Sequence, residues 1–438
     1  MITVRYVAYG LLSLILFVSL DSYNAVFLGI SEDEGARQGG DLRPQIAAIV
    51  LWMILIVFSF VPGVARLPQR TKGLQWPVLL LAWSVLSSLW SDDPLNAMPK
   101  AAVLLICVLA AWRTTSIVTV EEMFSCIYYN IAALLTVSVA LVIFMPTIAV
   151  RQHEWQHEGD WQGVFGSKQG LGVVSALFLG IVLLRVARRR TLFDIFMCGV
   201  SIACLLGSGS RGAGIVGIVG VTCLLIARKY PKLALLVTGI LLFDVFLAVA
   251  NISYFAITGS SSLIVYGYDI DFTERTFIWQ YALSLWRDQP LMGFGLNGFW
   301  TDANRYYAYK RLHGWVLDNY HSGYIAVIVE TGAVGFSLFV VVSFQLFSKL
   351  RYLMANLKRN RLSLEMTIIF LLMFFTINLT ETYFLRSTNF LSILFAFLIM
   401  KTLTVSEVQS ARFITATRKA NSGTTPVRRV STGSTTNQ

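Results

Sequence analysis

The chain has 438 residues, of which 56% are hydrophobic and only 13% are charged, and its mean hydropathy is +0.65. A soluble protein is roughly half apolar and about a quarter charged, so this composition excludes an ordinary soluble enzyme and indicates an integral membrane protein. The formal net charge of +11 would also fit a nucleic-acid-binding protein, but in a membrane chain lysine and arginine mark the cytoplasmic loops.

Apolar runs long enough to cross a bilayer recur along the chain, since a spanning helix needs about 20 such residues. They predict an all-α polytopic protein with about twelve transmembrane helices, near residues 5–21, 44–64, 74–91, 98–116, 123–145, 169–187, 192–208, 211–228, 232–252, 321–348, 362–380 and 386–404. With a cytoplasmic N-terminus, basic clusters such as 188–190 fall inside and acidic groups such as 32–34 fall outside. This bias predicts that both termini are cytoplasmic, and we expect no nucleic-acid partner.

The predicted domain organisation is simple. Residues 1–404 form one transmembrane domain, and the basic, Ser/Thr-rich segment 405–438 is predicted to be a disordered cytoplasmic tail that can touch anionic lipid. Residues 253–320 form a large outer loop, many times longer than the median of about 4–6 residues. Within it, apolar residues recur at helical spacing and predict an amphipathic helix along the outer membrane face or over the bundle: Phe277, Ile278, Tyr281, Ala282, Leu285 and Trp286. Asp271 and Glu274 match a capping box before it, and Pro290 ends the pattern.

The stretch "GSGSRGAG", residues 207–214, predicts an anion site. Ser210 is the expected N-cap of the eighth helix, and Arg211 lies in its first turn. A cation is unfavourable at a helix N-terminus unless an anion is bound there. Amides of a glycine turn, the helix dipole and a guanidinium together form a phosphate site. The alternative is that Arg211 reaches the membrane interface or pairs with a loop acid.

Polar residues at the same predicted edge suggest acid–base chemistry. His321 begins the tenth helix, and Tyr324 follows one turn later on the same face. A histidine is the natural general base near neutral pH, although alone it is more often a hydrogen-bonded interfacial residue. Glu330 lies deeper in that helix, where an ionisable group is costly and should face the bundle interior.

Further charged residues gather at this edge. Arg275 starts the amphipathic helix, while Glu381 and Arg386 flank the last outer turn. Several cations and one histidine on one face suit an anionic, amphiphilic substrate held at the membrane boundary.

Two short patterns suggest cofactors but lack the required context. Residues 153–157, "HEWQH", match the H-E-x-x-H zinc motif, but they lie in a short polar piece between Pro146 and Gly159 rather than in an apolar span. Residues 293–298 match G-x-G-x-x-G, but no βαβ unit surrounds them, so we expect a turn that brings backbone near the substrate. We therefore expect neither a metal nor a cofactor.

These segments in order resemble a known superfamily. The relevant stretches are "WSDDP" (90–94), "GVFGSKQGLG" (163–172), "RGAG" (211–214), "ERTFIWQYALSLWRDQPLMGFGLNGFW" (274–300) and "HSGYIAVIVETGAVG" (321–335). Together they resemble the bacterial O-antigen ligases and the O-antigen and exopolysaccharide polymerases over roughly residues 84–400, and the second stretch is similar to succinoglycan-type polymerases. Ser322 and Gln169 depart from the pattern, since many members have Asn at both positions.

The resemblance implies a GT-C-like membrane glycosyltransferase that is inverting and metal-independent. It implies an active site on the periplasmic side of the inner membrane and an oligosaccharide donor on undecaprenyl pyrophosphate. Arg211 and Arg275 would hold the pyrophosphate, and His321 would act at the acceptor as a general base or a positioning group. Lys168 would contact the diphosphate or a sugar. The remaining candidates are supporting groups: Trp279, Tyr324, Glu330, Glu381 and Arg386.

Alternatives differ in the acceptor or in the class of protein. A polymerase adds the growing chain to a new lipid-linked repeat unit, with chain-length regulators and export proteins as possible partners, whereas a ligase transfers the chain to lipid A-core. The stretch 163–172 favours the polymerase. A polysaccharide transporter is the third alternative, but the cations cluster on one face and the sequence shows no pair of broken helices.

Overall fold

The structure is a computed structural model of the chain. It describes residues 2–19, 42–65, 67, 71–152, 158–229, 263–265, 268–270, 275–300, 305, 307–309, 311, 319–356, 361–387 and 389–404. Several features from the sequence lie outside these residues: the histidines of 153–157, the ninth predicted span, the capping box of Asp271 and Glu274, and the tail 405–438.

The described part is mainly helical. Its long helices are α1 Ile2–Ser19, α2 Leu42–Phe58, α3 Gln75–Ser87, α4 Pro94–Ile117, α5 Val120–Phe144, α6 Lys168–Arg188, α7 Leu192–Gly207, α8 Arg211–Lys229, α9 Arg275–Trp286, α10 Gly323–Asn356, α11 Arg361–Ile377 and α12 Phe390–Thr404. Single helical turns lie at Ser88–Trp90, Pro146–Ala149 and Gly163–Phe165. Strands β1 Leu263–Val265 and β2 Tyr268–Ile270 pair antiparallel, with Leu263 opposite Ile270. This hairpin is an addition to the expected all-α fold and lies within the predicted large loop.

The helices agree with a multi-pass membrane protein. Each predicted span except the ninth coincides with a helix. Four helices of the described part, α4, α5, α6 and α10, are long and apolar enough to cross a bilayer, and several others are apolar but shorter. The total of twelve spans stays a prediction.

Short polar side chains begin several helices. Thr119 and Glu122 form a capping box at α5: Glu122 N donates to Thr119 Oγ1 over 3.2 Å, and Thr119 N donates to Glu122 Oε2 over 2.9 Å. Ser167 caps α6, where Gly170 N donates to its hydroxyl over 2.9 Å. These caps satisfy amides that would otherwise be unpaired at the helix start.

The core is centred on α6, which packs against α7, α8 and α11. Glycines allow the close crossings, because Gly180 of α6 and Gly220 of α8 both face the thioether of Met373 in α11. A methyl group at Gly220 would lie 2.7 Å from Met373 Sδ. Small residues at such crossings let helix backbones approach closely in a membrane.

Helix α10 is broken at Gly332, although the sequence predicts one continuous helix there. Gly332 has φ 68° and ψ −176°, which is outside the helical region. The loop after α9 fills the break, and a Cβ on Gly332 would lie 2.1 Å from the carbonyl oxygen of Leu291. Only glycine avoids both the backbone strain and this collision.

The loop and the broken helix exchange backbone hydrogen bonds. These run from Phe294 N to Val329 O (3.0 Å), from Gly295 N to Glu330 O (2.8 Å), from Ala333 N to Pro290 O (2.8 Å) and from Val334 N to Leu291 O (3.3 Å). The indole of Trp83 in α3 donates to the carbonyl of Thr331 over 2.9 Å. The groups freed by the break are thus paired inside the protein, as non-helical backbone at membrane depth requires. Gly293 and Gly295 therefore bring backbone against α10, and a contact between this turn and the substrate stays a prediction.

Candidate functional site

The predicted site residues come together at one end of the bundle. The starts of α6, α8, α9 and α10 and the turn 378–389 between α11 and α12 lie there, and we call this region the site end. Gly212 of α8 packs on this turn, since a Cβ on it would lie 2.9 Å from Thr380 Oγ1. Arg275 of α9 donates to the carbonyl of the same Thr380 over 2.5 Å.

Arg275, Glu381 and His321 form a chain of charged groups. Arg275 Nη2 donates to Glu381 Oε1 over 3.1 Å. The second oxygen, Glu381 Oε2, lies 3.5 Å from His321 Nδ1. One carboxylate from the last outer turn therefore stands between the arginine that starts α9 and the histidine that precedes α10.

The backbone at His321 is in an unusual conformation. Its φ is +48°, in the left-handed region that a non-glycine residue rarely adopts. Neighbours hold it there: the side-chain oxygen of Asn319 accepts from His321 N over 3.1 Å, and the indole of Trp279 donates to the carbonyl of Tyr320 over 2.9 Å. Such strain is typical of functional sites, where the surrounding structure fixes a side chain in one direction.

Asn378 builds the turn that carries Glu381. Its buried side-chain oxygen accepts from Tyr383 N over 2.9 Å and from Phe384 N over 3.0 Å. Its main-chain carbonyl accepts from Gly323 N at the start of α10 over 2.8 Å. A Cβ on Gly323 would lie 2.1 Å from the same Asn378 side-chain oxygen. This scaffold was not predicted, because Gly323 and Asn378 are far apart in the sequence.

Arg211 is exposed at the start of α8. The predicted N-cap is confirmed, since Ala213 N donates to Ser210 Oγ over 3.4 Å. Arg211 has no ion-pair partner among the described residues, so the alternative of a paired loop acid finds no support in that part of the chain. Because its neighbour Gly212 packs on Thr380, Arg211 and Arg275 both start helices that approach the same turn.

Lys168 has a partner of its own. Its ammonium donates to Asp160 Oδ2 over 2.8 Å, and the side chain is only 9% exposed. Asp160 also approaches the glycine turn before α8, since a Cβ on Gly209 would lie 2.3 Å from Asp160 Oδ1. A carboxylate therefore occupies part of the space that we expected a phosphate to approach.

Glu330, Arg386 and Tyr324 belong to the scaffold. Arg386 binds both oxygens of the buried Glu330 over 3.0 Å and also donates to Asn297 Oδ1 over 2.7 Å. Tyr324 is 1% exposed and donates its hydroxyl to the carbonyl of Phe375 over 3.1 Å. Tyr324 therefore does not share an open face with His321, because its ring packs inward between α10 and α11.

Two further groups fix the loop near His321. Burial, followed by the negative charge of Glu330, raises the pKa of the Tyr320 phenol well above its usual value, so this side chain stays neutral. Burial lowers the pKa of Arg305, which pairs with Asp92 and lies over the ring of Phe294 at 4.1 Å from its centre. The "WSDDP" stretch thus anchors the loop before His321, a role that its sequence alone did not indicate.

The described residues contain no group of three His, Cys, Asp or Glu side chains that could hold a metal ion. What the site end offers is positive charge from Arg211 and Arg275 beside an imidazole that faces a carboxylate. Fixed cations stabilise a departing anion. A histidine within reach of a carboxylate suits proton transfer.

The chain is similar in sequence to proteins of bacterial polysaccharide assembly. Residues 196–340 match the family model described as O-antigen ligase. The chain is 21% identical over 355 residues to the exopolysaccharide production protein ExoQ of Rhizobium meliloti (strain 1021), an alignment that covers 76% of this chain and 74% of the relative. The matched family region contains Arg211, Arg275 and His321. Both matches confirm the resemblance to the O-antigen ligase and polymerase superfamily, and the apolar helices indicate a multi-pass membrane protein.

Proposed function

We propose that the chain polymerises oligosaccharide repeat units linked to undecaprenyl pyrophosphate into an exopolysaccharide or O-antigen by inverting, metal-independent glycosyl transfer. The observation that carries this proposal is the linked set of Arg275, Glu381 and His321 beside the exposed Arg211. The arginines supply positive charge for an anionic leaving group, and His321 supplies a base for the attacking hydroxyl.

Arg211 and Arg275 serve the donor. Glycosyl transfer passes through an oxocarbenium-like state while negative charge grows on the leaving group. Guanidinium groups match phosphate oxygens in two-point contacts. The start of α8 adds the positive end of the helix dipole beside Arg211. The two arginines and the start of α8 are therefore suited to bind a pyrophosphate at the membrane boundary.

His321 serves the acceptor. As the acceptor hydroxyl oxygen bonds to the anomeric carbon, its proton passes to Nε2 of His321. The bond from the anomeric carbon to the pyrophosphate oxygen breaks, and its electron pair leaves with undecaprenyl pyrophosphate. The imidazolium then releases its proton to water, which returns the site to its starting state. The side chain is 29% exposed while its Nδ1 is buried, so the exposed surface lies on the other side-chain atoms.

The nature of the acceptor separates polymerase from ligase. The name of the relative, an exopolysaccharide production protein, supports polymerisation. The description of the family model, O-antigen ligase, supports transfer to lipid A-core as the second candidate. A transporter gains some support from the broken α10, but the charged residues of the site end lie at one edge and not along a central path.

The proposed location is the bacterial inner membrane, with transfer on its periplasmic side. The site end faces the periplasm, both termini are cytoplasmic and the protein resides in the inner membrane, as the distribution of basic loops supports. Chain-length regulators and export proteins are the expected partners.

Deletion of the gene, followed by gel analysis of secreted polysaccharide and lipopolysaccharide, tests the proposal. We expect loss of high-molecular-weight exopolymer with intact lipopolysaccharide, and recovery by the wild-type gene but not by genes carrying Arg211→Ala, Arg275→Ala or His321→Ala. Lipid A-core without attached chains would instead identify the ligase. Polymer of normal length that accumulates inside the cell would contradict both and support the transporter.

A further inference from the structure

Glu381, one of the supporting groups named from the resemblance, is not placed like a substrate contact. The residue is 9% exposed. Both oxygens are turned to neighbours in the protein, Oε1 to Arg275 at 3.1 Å and Oε2 to His321 Nδ1 at 3.5 Å. An oligosaccharide entering from outside would meet these neighbours before it met the carboxylate.

The contact with His321 determines which ring nitrogen can act as a base. In a neutral imidazole one nitrogen carries the proton and the other accepts one, and the partner of the first fixes this choice. Nδ1 of His321 is buried without a hydrogen-bond partner among the described residues. Among the described residues Glu381 Oε2 is an anionic group that faces it, at 3.5 Å, slightly beyond an ordinary hydrogen bond. Such contacts commonly tighten when substrate binds.

The contact with Arg275 fixes the carboxylate. Arg275 holds Glu381 Oε1 with one nitrogen and the carbonyl of Thr380 with the other, so the glutamate and its own turn are bound by one guanidinium. The carboxylate can then stabilise the positive charge that His321 gains when it takes a proton. Arg275 contacts the Glu381 carboxylate and, in the proposed function, the donor pyrophosphate. Donor binding is therefore linked to the orientation of His321.

We infer that Glu381 is a positioning residue, which orients His321 through Nδ1 and couples it to the donor-binding Arg275. This inference rests on the proposed glycosyl transfer, in which His321 Nε2 is the base. It assigns Glu381 a role in the rate of transfer and not in recognition of the sugar.

A double-mutant experiment on the full chain in nanodiscs tests this role. The donor is the radiolabelled lipid pyrophosphate-linked repeat unit isolated from cells that lack the gene, and the label allows slow residual rates to be followed. The variants are Glu381→Gln, His321→Ala and the two combined. Glu365→Gln is the matched control, because it breaks another arginine–glutamate pair, with Arg188 at 2.6 Å, outside the site end. If Glu381→Gln does not fold, Glu381→Asp replaces it, since it keeps the charge but withdraws it from His321 by one methylene.

We expect Glu381→Gln to lower kcat by at least about 10-fold, with the KM for the donor changed by less than about threefold. Adding Glu381→Gln to His321→Ala should cause no further loss of kcat, because the effects of substitutions at residues that act as a unit do not add. An equal loss in both backgrounds, or wild-type kcat in Glu381→Gln, would overturn the inference while leaving the proposed function intact. Failure of the proposed function looks different, since Arg275→Ala and His321→Ala would then both retain wild-type rates.

Discussion

Trp279 of α9 donates its indole N–H over 2.9 Å to the carbonyl of Tyr320, the residue immediately before His321. The helix of the large loop therefore controls the backbone at the site, where His321 has a φ of +48°. The same helix also packs on α10. The amphipathic helix predicted from sequence lies over the bundle, with Ile278 and Ala282 buried and Phe277 exposed.

Replacement of Trp279 by Phe should slow catalysis without unfolding the protein. The ring keeps its packing, but the hydrogen bond to Tyr320 is lost, and such a bond contributes about 0.5–1.5 kcal/mol. We expect kcat to fall by about 2- to 10-fold, measured on the purified variant. Trp76→Phe at an exposed position serves as the control and should have no effect. An unchanged kcat in Trp279→Phe would show that this bond does not orient His321.

Replacement of Arg211 by Ala should weaken donor binding and leave folding unchanged. The side chain is exposed and has no ion-pair partner among the described residues, so its removal leaves no buried charge there. Loss of one charge-assisted contact of about 1.5–3 kcal/mol should raise the KM for the donor about 10- to 100-fold. Arg211→Lys should recover part of the donor binding, because lysine keeps the positive charge but cannot make the two-point contact of a guanidinium with phosphate.

The control for Arg211 is Arg189→Ala, an equally exposed arginine on the predicted cytoplasmic side. It should bind donor as the wild type does. A similar rise of KM in both variants would mean that the effect reflects net charge and not a site at α8.

The buried pair of Glu330 and Arg386 should be sensitive to removal of one partner. Glu330→Gln leaves the guanidinium of Arg386 without its carboxylate in a site where Glu330 is 3% exposed. We expect a loss of about 3–5 kcal/mol in stability, seen as a lower apparent melting temperature in detergent. The double variant Glu330→Gln/Arg386→Gln should recover much of it. Equal melting temperatures for Glu330→Gln and the half-buried control Glu365→Gln would argue against a buried pair.

Gly332→Ala should disrupt the break in α10. Alanine is strained at φ 68°, and its Cβ would collide with the carbonyl of Leu291. We expect a strong loss of folded, active protein, measured by size-exclusion chromatography. Gly199→Ala is the matched control: this glycine lies in α7 with open space around it, so alanine should be neutral or stabilise by up to about 1 kcal/mol. Wild-type yield from Gly332→Ala would contradict the broken helix.

Local signals in the sequence were sufficient for most of the helices and for several site residues. Apolar runs and short polar caps such as Ser210 are encoded within a few neighbouring residues, so they could be predicted. Arg211 and His321 were recognisable because each is a polar group at the edge of a predicted span, and Arg275 because it starts the predicted amphipathic helix.

The remaining features depend on contacts between distant parts of the chain. The break at Gly332 is invisible in "VIVETGAVG", because the groups that fill it come from Pro290 to Gly295. The pairing of Lys168 with Asp160 and the inward placement of Tyr324 likewise depend on the packing of separate elements. The inward orientation of Glu330 could be predicted, because a carboxylate inside a membrane span must face the bundle interior and find a partner there. That partner is Arg386.

The most direct test of the central claim is a transfer assay with purified components. The full chain in nanodiscs receives lipid pyrophosphate-linked repeat units as its sole substrate, in the presence of EDTA, and the products are separated by gel electrophoresis. We predict a ladder of polymer and one undecaprenyl pyrophosphate released for each bond formed, with both lost in His321→Ala and Arg275→Ala. A wild-type protein that forms no bond, variants that form as many as wild type, or activity that requires added zinc would contradict the account.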